Sequence, residues 1–196
     1  MTDSMNPMDE DLVDEIQSDE MPAPTALLPS DASLSEAKRW LRDRYEKGAA
    51  CPCCNQHTKL YKRPLNKSMA YVLTLIAKFY DDAEHSGEWL HVPSYIAEVV
   101  ADNPRRAAAV RGDWAKLKLW GLIEEKPGTR SDGSPRVGYY RLTTLGRRFV
   151  DREVKVASHV YIYNGKPMPR TVEEMVSIDD ALGKDFNYGD IMAEAC

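Results

Sequence analysis

A chain of 196 residues with a formal net charge of −5 has room for one good domain plus appendages. It carries no apolar run long enough to span a bilayer, its N-terminus is acidic where a secretion signal would be basic, and its four cysteines, three of them bunched together, make no disulfide framework; a reducing cytoplasm is the expected compartment. The total charge hides a partition: residues 1–37 hold ten acidic and no basic side chains, residues 38–150 hold 21 basic and 12 acidic, and residues 151–196 hold five basic and nine acidic. The centre is therefore +9 between two acidic ends, and phosphate binding answers to that local field.

Residues 1–30, with Pro7, Pro22, Pro24 and Pro29, read as a disordered solubilising tail that can also compete with a polyanion for the basic centre. Residues 31–65 form the second unit. Ser33-x-x-Glu36 is a capping box opening a short helix over 33–48, with Leu34, Ala37, Trp40 and Leu41 on one side, Lys38, Arg39, Arg42 and Arg44 around the rest, and Gly48 as its stop. Cys51-Pro52-Cys53-Cys54 follows. Cys51 and Cys54 match the C-P-x-C turn of zinc knuckles, where two thiolates converge under backbone N–H groups, and His57 is placed as a third ligand. A structural zinc needs a fourth, to be drawn from Cys53, His85, His91, His159 or Cys196; the alternative is a reduced turn packed on the core. Lys59-Leu60-Tyr61-Lys62-Arg63-Pro64 then reads equally as a segment lying along a phosphate backbone and as a solvated linker whose Tyr61 packs inward.

Residues 66–150 form the central unit. Asn66 caps a helix whose stripe is Met69, Val72, Leu73, Ile76, Phe79 and Tyr80. Glu88–Val92 reads as a short strand, and Pro93-Ser94 opens a helix with Tyr95, Ile96, Val99 and Val100. Asn103 as cap and Pro104 at the first position start a helix to Trp120 with Ala107, Val110, Trp114 and Leu117 buried, and Gly121 ends it. Leu122–Glu125 and Val137–Leu142 are strands around a Gly/Pro/Ser-rich loop, and Thr143 or Thr144 caps a helix begun by Leu145, Phe149 and Val150. Helix, strand, helix, helix, strand, loop, strand is the winged helix-turn-helix order. Residues 151–196 read as an acidic accessory region with an Asn164-Gly165 hairpin, a helix start at Ser177-x-x-Asp180, a Gly183 stop and a last piece over Phe186–Met192.

"LKLWGLIEE", a loop and then "YYRLTTLGRRF" resemble the end of the recognition helix and the wing of MarR-like and PadR-like winged-helix regulators. The resemblance covers about Asn66 to Val150 and implies an α+β fold with a winged helix-turn-helix core, flanked by the N-terminal helix, the Cys-rich turn and the small C-terminal hairpin and helix region. The run "CPCCNQHTKLYKRPLN" feeding such a domain is similar to small bacteriophage proteins, a likeness that brings no function with it.

The expectation is double-stranded DNA binding by a cytoplasmic, dimeric transcriptional regulator. Its expected contacts are Arg105, Arg106, Arg111 and Lys116 on the helix, Lys126, Arg130 and Arg136 at the wing, and Lys62 and Arg63 on the linker. The helix face opposite the buried stripe, Ala108, Gly112, Ala115 and Leu119, lacks base-reading donors. It either lets the backbone sit deep in a groove or packs on protein, so a module binding a host or viral protein partner is the alternative. Zinc is the one cofactor considered. No enzyme is expected, because the four histidines are scattered, no nucleophile has a visible base and no Gly motif cradles phosphate.

Overall fold

The computed structural model describes residues 28–193 apart from 105, 106, 108, 109, 111, 130–132 and 134–136. The N-terminal tail expected over 1–30 therefore lies, but for its last three residues, outside the described residues. The described chain is mixed α+β, with small antiparallel sheets arranged around one central helix. No helix among the described residues is long and apolar enough to cross a membrane.

Helix α1 (Leu34–Arg42) begins at the expected capping box, in which Ser33 and Glu36 satisfy each other's backbone N–H groups. It ends at Arg42, short of Gly48, and buries Ala37 while Leu34 stays 62% exposed. Strands β1 (Ala49–Ala50) and β2 (His57–Thr58) pair antiparallel and carry the cysteine turn between them. The basic run after it is strand β3 (Tyr61–Pro64).

Helix α2 (Lys67–Phe79) is the spine. Asn66 caps it, accepting the Met69 N–H at 3.0 Å. The sequence shows one broad apolar stripe, yet every residue from Ser68 to Ala77 is buried. Further elements cover the rest of the circumference. Phe186 stacks on Tyr71 with centroids 4.5 Å apart, Ile178, Leu182 and Ile191 join the same core, and Thr74 returns its hydroxyl to the Ala70 carbonyl at 3.0 Å. The enclosed stretch Ser68–Ala77 carries no charge, its polar side chains being Ser68, Tyr71 and Thr74, and the two lysines, Lys67 and Lys78, stand at the helix ends outside it.

Strand β4 is only Leu90–His91, because Val92 already starts α3 (Val92–Val99) with Pro93 in its first turn; the expected strand over Glu88–Val92 is shortened accordingly. Downstream, the Ala107 N–H donates to the Asn103 carbonyl at 3.0 Å, a helical start as expected. The expectation of an α-helix continuing to Trp120 is corrected: Gly112–Trp120 is a 3₁₀ helix. Its buried residues, Trp114, Leu117 and Trp120, recur every third position, the repeat that a 3₁₀ helix eclipses, whereas Ala107 is exposed and Val110 half-buried. Two anchors hold this winding. The Trp114 ring stands edge-on to Tyr140 at 5.1 Å, and Trp120 Nε1 donates to the Ala157 carbonyl at 2.7 Å. Gly121, at φ +70°, then turns the chain into β5 (Ile123–Glu125).

Strand β6 (Tyr139–Leu142) lies between β4 and β5, and α4 (Thr144–Val150) follows with Thr143 as its cap. Beyond it, β7 (Val156–Ala157) pairs with β10 (Met175–Val176), and β8 (His159–Tyr163) pairs on one side with β9 (Lys166–Met168) and on the other with β3. Asn164 and Gly165 make the β8–β9 turn with φ of +48° and +71°, the backbone that Asn-Gly favours. Helix α5 (Ile178–Leu182) opens at the Ser177–Asp180 capping box, and α6 (Tyr188–Ala193) closes the chain. Residues on both sides of positions 65 and 150 thus share one core.

Candidate functional site

The β4–β6–β5 sheet has one buried and one outward face, and its register says which residue goes where. Leu90 pairs with Tyr140, Tyr140 with Glu125, and Leu142 with Ile123, so these share a face, and Leu90, Tyr140 and Ile123 are buried. The other face takes His91, Tyr139, Arg141 and Glu124. Trp89 precedes β4, and Lys126 continues β5 by donating its N–H to the Tyr139 carbonyl at 2.9 Å, so both extend that outward face.

The outward residues form a cation–aromatic cluster. The Arg141 guanidinium lies 4.6 Å from the Trp89 ring centre, and the Lys126 ammonium lies 5.5 Å from that of Tyr139 and 6.0 Å from that of Trp89. His91 packs on Tyr139 at 4.8 Å and is oriented by Ser94, 2.7 Å from its Nδ1. Arg141 also pairs with Glu124 across the strands. Gly138 returns the chain from the loop at φ +88°, where an added Cβ would stand 2.8 Å from His91 Nε2. The loop leaving this cluster spans Pro127–Val137, and Val137 is 63% exposed at its end.

The expected contact residues fall into three groups. Arg105, Arg106, Arg111, Arg130 and Arg136 lie outside the described residues. Lys126 is in the cluster, while Lys116 is half-buried and paired with Asp113 on the 3₁₀ helix. Lys118 nearby is paired with Glu125 at 2.7 Å, which holds its pKa above the usual lysine value. Lys62 and Arg63 are exposed, but on strand β3 of the other sheet, where Lys62 pairs with Tyr161 and Arg63 with Val160. Tyr61 there is 46% exposed, with Arg63 over its ring at 5.7 Å. Trp89, His91, Tyr139 and Arg141 are absent from the sequence-based set. The alternation in Trp89-Leu90-His91-Val92 and Tyr139-Tyr140-Arg141-Leu142 is the signal that separates outward from inward residues there.

The cysteine turn is a second site. The Asn55 N–H donates to the Cys51 carbonyl and the Cys51 N–H to the Gln56 carbonyl, both at 2.8 Å, and Asn55 takes φ +58° to close the loop. Hydrogen bonding from the backbone N–H groups of Cys53 and Cys54, and then from the Cys54 and Cys53 thiols, holds the Cys51 pKa below the usual thiol value. Cys53 and Cys54 are exposed. His57 pairs with Ala50, so it occupies the hairpin face opposite to neighbouring Cys51, and its ring lies over Gly48, where a Cβ would meet Nε2 at 2.8 Å. Among the described residues no three His, Cys, Asp or Glu side chains form a group able to hold a metal ion.

Comparison with protein-family models, with curated proteins and with solved structures finds no match.

Proposed function

We propose that the chain is a winged-helix protein that binds double-stranded DNA as a dimer and regulates transcription, with the loop between β5 and β6 as its wing. The observation that carries this reading is the outward cluster of Lys126, Arg141, Trp89 and Tyr139 at the base of that loop. The aromatic rings hold two cationic heads on an outward surface, and the sequence adds Arg130 and Arg136 between β5 and β6. The order α2, β4, α3, the Asn103–Trp120 segment, β5, loop and β6, with β6 central in its sheet, supports the winged-helix part. The positive balance of residues 38–150 supports the polyanionic partner.

The contact differs from a routine major-groove reading. The 3₁₀ helix spends Lys116 on Asp113 and Lys118 on Glu125, so the wing and the start of the preceding helix supply the phosphate contacts. In the competing reading a protein partner covers Ala108, Gly112, Ala115 and Leu119. Ala115 and Leu119 are half-buried against the core, which argues against that surface.

Fluorescence anisotropy with a mixed-sequence duplex, repeated across a salt series, tests the proposal. Binding should weaken steeply with salt, and Lys126→Ala, Arg130→Ala or Arg105→Ala should each flatten the log–log slope by about two per bound dimer, one contact from each protomer. Absence of binding at low salt, or unchanged slopes in all three variants, refutes it.

A further inference from the structure

We propose that one face of the β3–β8–β9 sheet binds single-stranded DNA, with Tyr61 as the ring on which a base stacks and Arg63 as the cation that meets a phosphate. This sheet is separate from the β4–β6–β5 sheet that carries the wing cluster, so the surface is additional to the duplex contact. Its register sorts the side chains. Tyr61 pairs with Ile162 and Ile162 with Pro167, a row across all three strands, and Arg63 pairs with Val160 on the same face. Lys62, Tyr161 and Met168 form a row on the other face, followed by Tyr163 and Lys166. The chain itself packs on that second face: the Arg170 guanidinium lies 5.1 Å from the Tyr161 ring centre, and Tyr45 meets Tyr163 edge-on at 5.1 Å.

Tyr61 stands apart from the other aromatic residues. Every other Trp, Tyr and Phe is buried or half-buried, whereas Tyr61 is 46% exposed, with the Arg63 guanidinium 5.7 Å from its ring centre. Half-buried Ile162 and exposed Pro167 continue an apolar strip beside it. The charge around the strip has one sign. The three strands carry Lys62, Arg63 and Lys166 and no Asp or Glu, and among the described residues no carboxylate pairs with any of these three cations. Glu46 is taken by Arg170, and Glu174 accepts from the Ser158 hydroxyl at 2.9 Å. A positive field over an exposed ring complements a polyanion that also offers flat apolar faces. An acidic peptide brings the charge without the faces. The bases of a duplex stack on one another and hide theirs, so an unpaired strand is the form that fits.

Fluorescence anisotropy of the full chain with a labelled oligothymidine of about 15 nucleotides, across a salt series, tests this. Oligothymidine does not pair with itself, so it presents unpaired bases only. Binding should weaken with salt, and Tyr61→Ala should lower the affinity about ten-fold. Tyr61→Phe should keep the parent affinity, because stacking needs the ring and not the hydroxyl. Arg63→Ala should flatten the log–log slope by about 0.7 per bound strand. An unchanged circular dichroism spectrum and melting curve for Tyr61→Ala separate lost stacking from lost fold. The proposal is overturned if oligothymidine does not bind at low salt, or if Tyr61→Ala binds it as the parent does. It is equally overturned if Tyr61→Ala loses as much affinity for a duplex of the same length, which would make the strip a duplex contact, or if binding follows Arg63 and Lys62 and ignores Tyr61, which would make it a plain polyanion surface.

Discussion

Replacing Gly146 with alanine tests how tightly α4 is set against the start of β5. An added Cβ would lie 2.0 Å from the Leu122 carbonyl oxygen and 2.9 Å from both the Leu122 carbonyl carbon and Leu142 Cδ1. An unstrained carbon–oxygen contact is about 3.3 Å, so helix and strand must part by about 1.3 Å. The obstacle is backbone, and it cannot swing aside. The same Leu122 oxygen accepts from the Thr143 N–H and hydroxyl, both at 3.1 Å, while Thr143 caps the helix by accepting the Gly146 N–H at 3.0 Å. Overpacking costs about 1–3 kcal/mol, and weakening the two Leu122 bonds about 1 kcal/mol each. Against this, alanine gains about 1 kcal/mol of helix propensity over glycine. The net loss is about 2–4 kcal/mol, which for a chain of this size lowers Tm by roughly 5–15 °C. Thermal melts followed by circular dichroism measure it. Gly112→Ala is the control, since its Cβ would meet nothing within 4 Å and its φ is ordinary. A Gly146→Ala chain that melts at or above the parent, as helix propensity alone demands, would refute this tight packing.

Trp120→Phe keeps the buried ring but removes the donor to the Ala157 carbonyl; urea unfolding should show a loss of about 1–2 kcal/mol, and an unchanged midpoint would deny that bond a role. Glu124→Gln removes the carboxylate that neutralises Arg141 on the outward face, so duplex DNA should bind several-fold tighter at low salt, with the gain fading as salt rises. Equal or weaker binding would place the DNA elsewhere. Burial, followed by the charge of Lys62 and opposed by Glu174, holds the pKa of His159 below its ordinary 6.5. The unfolded chain therefore takes up a proton near pH 6.5 while the folded chain stays neutral, and stability should fall as the pH drops through that value until the folded pKa is passed. Melts between about pH 7.5 and 5 should show this slope in the parent and a flatter one in His159→Asn; parallel profiles would contradict it.

Local chemistry was readable in the amino-acid sequence alone. Ser33, Asn66, Thr143 and Ser177 each cap the helix that follows, and Asn164-Gly165 makes its hairpin, because these choices are settled by atoms within about four residues. Period-two alternation likewise contains the two faces of the β4–β6–β5 sheet. Tertiary structure alone decided the rest. Nothing near Tyr61–Pro64 announces that its strand partner is His159–Tyr163, and nothing in α2 says that α5 and α6 cover its remaining side. The Asn103–Trp120 spacing suits an α-helix, and it is contacts with Tyr140 and Ala157 that hold the 3₁₀ winding of its second half. Charge shows the same division. Counting gives the sign of the central region, but which cations remain for a partner depends on carboxylates brought alongside by folding: Asp113 occupies Lys116, Glu125 occupies Lys118, and Lys126 lies instead over aromatic rings. A pairwise attraction falls off with distance, and distances between remote residues exist only once the chain has folded.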